Sequence, residues 1–324
     1  MNSPVTTAFA PLKQQLQTVF LGADAIIDQL LVALLCSGHV LLEDVPGLGK
    51  TTLAKAVAKS VSLTFKRIQC TPDLMPSDVL GGNIYQPNTQ DFKFLPGPIF
   101  THLLLVDEIN RASPRTQSAF LEAMAEGSVT IDRKTAALPK PFMVIATQNP
   151  VEFAGTFPLP EAQLDRFFMR LRLGYPSKEQ ALTILTNHQQ QEPINTLKAL
   201  VSKEQLSAWQ QACLRVSVNS DVQRYIVELI EATREHKDIR LGASPRAAIA
   251  LMQAARAMAY LTGRDFVTPE HVQHIAPAVL NHRLVTRGHQ SAEQAEKLIV
   301  QLLRTIPVPG VAASNDDNPS LSDA

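Results

Sequence analysis

Residues 41–52 read LLEDVPGLGKTT, and the order of residue types within them decides the fold. The stretch overlaps the apolar run HVLLE (39–43) and leads into KTTLAKAVAKS (50–60), which has the composition of a good helix former. Strand, glycine-rich loop and helix therefore follow one another. That order aims successive backbone N–H groups at an anion and supplies a lysine to neutralise its outer oxygens. Lys50 is placed to reach the β- and γ-phosphates of a nucleotide, and the Thr51 hydroxyl to ligate Mg²⁺. The segment Val45-Pro46-Gly47-Leu48-Gly49, with Thr52 behind it, completes the cradle. Gly47 and Gly49 permit close backbone approach, and Pro46 stiffens the loop. The general pattern GxxxxGK[ST] has glycine where this chain has Asp44. Asp44 begins the turn, away from the γ-phosphate end, and aspartate tolerates turn conformations better than most residues. The loop is expected to bind nucleotide despite the change.

Working outward, HLLLVDE (102–108) and FMVIAT (142–147) are, like HVLLE, near-continuous apolar runs. Such runs suit parallel strands buried on both faces, and their alternation with helical segments predicts a parallel sheet covered by helices. Ser113-Pro114 predicts a helix start, with Ser as N-cap and Pro at the first helical position, and Gly127 the end of that helix. NIYQPNTQDFKF (83–94) and GSVTIDRKTAAL (127–138) interrupt the alternation as two candidate hairpins.

The strand ends carry the remaining chemistry. Asp107 closes an apolar strand and can hold Mg²⁺, directly or through water. Glu108 follows it, placed to polarise an attacking water. Asn149, after MVIATQ, offers an amide that can position the same water. Four arginines are candidates for anion contact: Arg111 and Arg115 in NRASPR, Arg166 in LPEAQLDRFF and Arg246 in GASPRAA. Arg246 falls in the first turn of a helix, where a cation opposes the dipole and an anionic partner from outside the helix would compensate.

After Tyr175-Pro176 helical periodicity dominates. An all-helical second domain is predicted over 177–306, behind an α/β domain over 1–176 that includes an N-terminal helix. Thr268, Pro269 and Glu270 mark one helix start within it. Residues 307–324, small, polar and weakly acidic, read as a disordered tail. His271 and His274, with His282 and His289 beyond, read as packing or surface histidines, since no Cys or carboxylate completes a metal set.

Bulk properties agree with these assignments. The 324 residues balance 30 Lys+Arg against 30 Asp+Glu, so no large field draws the chain to nucleic acid or membrane. The longest apolar run, Leu30 to Cys36, is well under the roughly 20 residues that span a bilayer. The N-terminus has no basic start followed by an apolar core, so no secretory signal is expected. Cys36, Cys70 and Cys213 form no CxxC and fit a reducing cytoplasm as inert thiols.

Taken in order, LLEDVPGLGKT, TPDLMPSD, PGPIFTHLLLVDEINRASPRTQSAFLEAM, IATQNP, GTFPLPEAQLDRF and GASPRA resemble the MoxR family of AAA+ ATPases, over about Val19 to Arg304. The resemblance implies a P-loop AAA+ domain with hairpin insertions, a helical lid and a ring assembly, commonly hexameric. It implies ATP and Mg²⁺ as ligands, and ATP hydrolysis that drives chaperone-like remodelling or maturation of protein complexes. By the same match Lys50 and Thr51 are Walker A, Asp107 and Glu108 Walker B, Asn149 sensor 1, Arg166 the candidate arginine finger and Arg246 sensor 2. A von Willebrand factor A domain protein is the partner the family implies; the client is not implied. Of the other classes, a nucleic-acid-dependent motor fits poorly with zero net charge and with Arg133 and Lys134 as the only cations of the second hairpin. A GTP switch would need an NKxD guanine-reading motif, which the chain lacks.

Overall fold

A computed structural model describes residues 4–43, 47–88, 90–132, 134–149, 155–190, 193–287 and 292–309. Helices α1 (Pro4–Val19) and α2 (Asp24–Leu35) precede β1 (Val40–Glu43), and α3 (Lys50–Ser60) leads to β2 (Phe65–Gln69). A short α4 (Pro76–Leu80) and the hairpin β3 (Gly81–Gln86) and β4 (Asp91–Pro96) come before β5 (Leu103–Asp107). Next, α5 (Pro114–Glu126) and a second hairpin, β6 (Ser128–Ile131) and β7 (Lys134–Ala137), lead to β8 (Met143–Gln148). The single-turn α6 (Glu161–Leu164) then enters β9 (Met169–Leu171).

Five of these strands form one sheet in the order β2-β5-β8-β1-β9, with every pairing parallel. Side-chain alternation explains why it is covered twice. Leu103, Leu105, Val40, Leu42, Met143 and Ile145 point into one apolar cluster, and Leu104, Val106, Leu41, Val144 and Ala146 into another. Helices α1, α2 and α3 supply the first cluster, and α5 the second. The apolar runs at β1, β5 and β8 were legible for this reason. β2 (FKRIQ) was not. It is an edge strand paired only with β5, and its Lys66, Arg67 and Gln69 stay exposed. Both hairpins form as expected, and Asn83 of the first donates to Asp132 of the second at 2.7 Å.

The lid region contains α7 (Lys178–Gln190), α8 (Pro193–Thr196), α9 (Lys203–Leu214), α10 (Ser220–Glu235), α11 (Pro245–Leu261), α12 (Pro269–Leu280) and α13 (Ala292–Thr305). A short antiparallel pair, β10 (Ile239–Leu241) with β11 (Val285–Thr286), adds to the helices. The lid's apolar side chains belong to the same cluster as one sheet face. Phe9 of α1 joins them, its ring centroid 4.2 Å from that of Trp209 and 5.9 Å from that of Tyr260. Caps follow sequence. Ser113 Oγ accepts from Thr116 N, and Gly127 ends α5 in the left-handed region. At α12 the reciprocal cap is His271, whose Nδ1 accepts from Thr268 N, with Glu270 one residue short of that role.

Two buried histidines make the fold acid-sensitive. Between α5 and the sheet, His39 places Nε2 3.0 Å from Met124 O, while its Nδ1 accepts from Val144 N at 3.0 Å. A carbonyl can only accept, so these partners demand the neutral ring. Burial pushes His39 from 6.5 down to about 4. Burial, with Arg283 and Arg170 nearby, drives His282 well below its usual value too. Both folded values lie under the unfolded one, so the unfolded chain binds more protons in that window. Stability is therefore full above pH 6.5 and lost as pH falls toward 4, by about 3 kcal/mol for His39 alone. The melting temperature is expected to drop across that window, and His39→Gln to flatten the drop. A parent melting temperature level from pH 6.5 to 4.5 would contradict this account.

Candidate active site

The site begins with two glycines. Gly47 and Gly49 have φ of 88° and 81°, a region that side chains other than glycine adopt at a cost. Gly49 is the N-cap of α3 and brings no side chain to that role. No side chain of the cap therefore competes with an anion for the first amides of the helix. Asp44, Val45 and Pro46 lie outside the described residues, so the aspartate at the first loop position carries no structural account. Lys50 and Thr51 start α3, and opposite them stand the carboxyl ends of β5 and β8. The residues Gly47, Gly49, Lys50, Thr51, Thr52, Arg67, Gln69, Asp107, Glu108, Thr147 and Asn149 line one cavity of about 370 Å³. A second cavity, of about 240 Å³, shares Gly47, Gly49 and Thr52 with it. Leu48, Val19, Phe20, Ala23, Tyr175 and Pro176 give that one a more apolar lining. A polar compartment beside an apolar one suits a phosphate chain attached to a base.

At the centre of the polar compartment Asp107 is 7% exposed, which requires that its oxygens find partners. Thr147 Oγ1 donates to Oδ1 at 3.0 Å, and Thr51 Oγ1 approaches Oδ2 at 3.4 Å. Arg67 places both Nε and Nη2 2.7 Å from Oδ2. Glu108 adopts φ 56°, ψ 54°, a left-handed backbone that turns its side chain out of the strand line. Its N–H donates to Thr147 Oγ1 at 2.8 Å. Its carboxylate Oε2 accepts from Gln69 Nε2 at 3.0 Å and from Arg111 Nη1 at 3.1 Å. Thr147 thus ties the two carboxylate-bearing residues to β8. Asn149, just past β8, is buried in the same lining. The residues fit a nucleotide with a hard divalent cation: Thr51 and Asp107 present oxygens to a common point, and Mg²⁺ takes few protein ligands when phosphates supply others.

Of the residues singled out in the sequence, Gly47, Gly49, Lys50, Thr51, Thr52, Asp107, Glu108 and Asn149 converge on this cavity, with Leu48 next door. Arg166 and Arg246 line neither compartment. Arg166 is half-buried and donates to Leu121 O of α5 at 2.8 Å. The carboxylates near it in sequence are engaged elsewhere, Asp165 with Arg283 at 2.8 Å and Glu161 with Arg240 at 3.6 Å. Arg246 is exposed in the first turn of α11, and Arg115 is exposed on α5. Sequence reasoning missed Arg67, Gln69 and Thr147. The first two sit on the edge strand β2, whose polar composition hid it. Thr147 sat within an apolar run, where a lone threonine reads as a strand former.

Comparison with known proteins agrees with the geometry. Residues 39–169 match the ATPase family associated with various cellular activities (AAA), and residues 231–304 match an AAA lid domain. The chain is 49% identical over 298 residues to the uncharacterised protein YeaC of Bacillus subtilis, which covers 91% of this chain and 93% of that one. Against Chaperone MoxR1 of Mycobacterium tuberculosis it is 39% identical, over 92% of this chain and 82% of the relative. Protein MoxR of Methylorubrum extorquens is 31% identical, over 93% and 95%. A crystal structure of a presumptive ATPase from Cytophaga hutchinsonii superposes with a TM-score of 0.86 at 38% identity, covering 94% of this chain and 96% of that one. With a nucleotide loop, a strand-end acid pair and a helical lid in one chain, and relatives at these identities over nearly its whole length, the protein belongs to the MoxR family of AAA+ ATPases.

Proposed function

We propose that this ATPase uses hydrolysis to remodel or mature protein complexes as a chaperone-like ring, with six subunits as the family resemblance implies. One observation carries the catalytic part. A single cavity gathers Lys50 and Thr51 from α3, Asp107 and Glu108 from β5, and Asn149 from the end of β8. In this reading the α3 amides and Lys50 bind the phosphate chain, and the apolar compartment takes the base. Thr51 and Asp107 would hold Mg²⁺, which would supply charge neutralisation for the phosphate chain. Glu108 accepts the proton of the attacking water, and Asn149 orients that water. Arg166, supplied from a neighbouring subunit, neutralises charge that builds on the γ-phosphate. Arg111 is the weaker choice for that task, because it is already bound to Glu108 of its own chain. The chaperone-like part rests on the name of Chaperone MoxR1 and on the first hairpin, where Ile84, Tyr85, Phe92 and Leu95 are at least half exposed. Apolar side chains so displayed suit a protein client.

Replacing Lys50 by Ala removes the lysine at the phosphate end of the loop. Titration with a fluorescent ATP analogue should show affinity falling by roughly 100-fold or more, the order expected for a charge-assisted contact in a shielded site. Unchanged affinity would remove the loop from the mechanism.

Glu108→Gln and Asp107→Asn separate the two acids. The first is expected to keep Mg²⁺-dependent ATP binding and to lose hydrolysis by roughly two to four orders of magnitude, since it deletes only the base. The second should weaken binding in Mg²⁺ and leave binding in EDTA little changed. Parent turnover by both variants would place the catalytic centre elsewhere. Pull-down with ATP-held Glu108→Gln should retain protein clients, and retention of nucleic acid alone would overturn the remodelling reading.

A further inference from the structure

Arg283 follows α12 by three residues in sequence and is only 8% exposed. A guanidinium so deep requires several acceptors, and those it finds lie mostly on one distant turn. Its Nε donates to Asp165 Oδ1 at 2.8 Å, its Nη2 to Phe167 O at 2.7 Å and its Nη1 to Phe168 O at 3.2 Å. A longer contact reaches Asp165 O at 3.5 Å, and Nη1 also bonds Val279 O of the preceding α12. His282 adds a bond from Nε2 to Phe167 O at 2.9 Å, and Asn281 bonds Arg170 just beyond. The residues gripped from the lid, 165, 167 and 168, flank Arg166 on both sides.

We propose that Arg283 is a positioning residue for Arg166: the lid's Arg283 holds the Asp165–Phe168 turn so that Arg166 is presented to a neighbouring subunit. This rests on reading Arg166 as a finger supplied in trans. The turn has little rigidity of its own. α6 before it is a single turn of helix, and β9 after it has three residues at the sheet edge. Arg166 bonds α5 through Leu121 O, so the turn is held from the sheet side by α5 and from the other side by the lid. The charge of Arg246, the candidate nucleotide sensor of the lid, acts unfavourably on that of Arg283, so the two lid arginines share one electrostatic environment. A lid that moves with its own nucleotide therefore moves the finger offered to the next subunit.

The test uses the full chain, with variants alone and co-expressed with Lys50→Ala, which keeps its finger and loses its own site. Arg283→Gln and Asp165→Ala should bind a fluorescent ATP analogue with the parent affinity. Alone, each should hydrolyse ATP slower by roughly tenfold or more, a fraction of the effect of losing a finger outright. Assembled with Lys50→Ala, each should regain activity, because the neighbour then supplies a correctly held Arg166. Arg283→Lys keeps the charge without the fork that spans the turn, and should recover only part of the parent rate. Should Arg283→Gln fail to fold in a thermal melt, Asp165→Ala decides alone, since it leaves the guanidinium its four carbonyl acceptors. Parent rates for Asp165→Ala would overturn the proposal. So would slow variants that stay slow on mixing while Arg166→Ala is rescued, for Arg283 would then serve only its own chain. If Arg166→Ala itself gains nothing from Lys50→Ala, the reading of the finger falls first, and the clamp falls with it.

Discussion

All five strands of the main sheet run the same way, and that constraint fixes where chemistry can occur. Parallel neighbours need crossovers, and crossovers bring every strand's carboxyl end to one edge. Because β1 pairs with β8 and β8 with β5, Gly47 and Gly49 share a cavity with Asp107, Glu108 and Asn149. None of those residues is near Lys50 in sequence. Their meeting is a property of strand order, and the near-continuous apolar runs of β5 and β8, buried on both faces, are what place these strands inside the sheet.

The polar edge of so apolar a sheet has to be stabilised locally. Asp107 is the critical member, a nearly buried carboxylate with donors from three elements: Thr51 on α3, Arg67 on β2 and Thr147 on β8. Glu108 leans on two further donors, Gln69 and Arg111, and is turned out by a backbone conformation that non-glycine residues seldom adopt. Of these donors, Thr51, Arg67, Gln69 and Thr147 also line the cavity in which the acids would act. Preorganisation of this kind means that little rearrangement of the carboxylates is needed when a phosphate chain enters.

How much of this was legible in the sequence depended on burial. β1, β5 and β8 are covered on both faces and announced themselves as apolar runs, and the residues at their ends were identified with them. The first hairpin was legible from Pro, Asn and Asp between two short β-type runs, and the second from its place ahead of the next core strand. β2 was hidden because an edge strand needs only one apolar face, and Ile68 is its one fully buried residue; Arg67 and Gln69 were hidden with it. The histidines divided similarly. His271 and His282, which the sequence left as packing or surface residues, are buried, and nothing in the spacing told that one caps α12 and the other reaches Phe167 O across the fold. His289 lies outside the described residues. Contacts between groups more than a hundred residues apart, such as Asp165 with Arg283, leave no periodic trace in a single sequence.

The arginines show what the geometry adds. Four were equivalent as charges in the sequence, and environment separates them. Arg111 spends its guanidinium on Glu108 of its own chain, and Arg115 projects from the exposed face of α5. Arg246 opens a lid helix close to Arg283, an unfavourable place for a cation unless an anion from the nucleotide side relieves it. Arg166 donates one bond to a neutral carbonyl and sits on a turn gripped by two elements, while the carboxylates that flank it are taken by Arg240 and Arg283. Arg166 thus has no carboxylate partner among the described residues and stands on a backbone held from both sides, which suits it to an anion from outside the chain. A rigid carrier also lowers the entropic cost of presenting that charge. Those two properties suit the role proposed for Arg166, a finger supplied in trans.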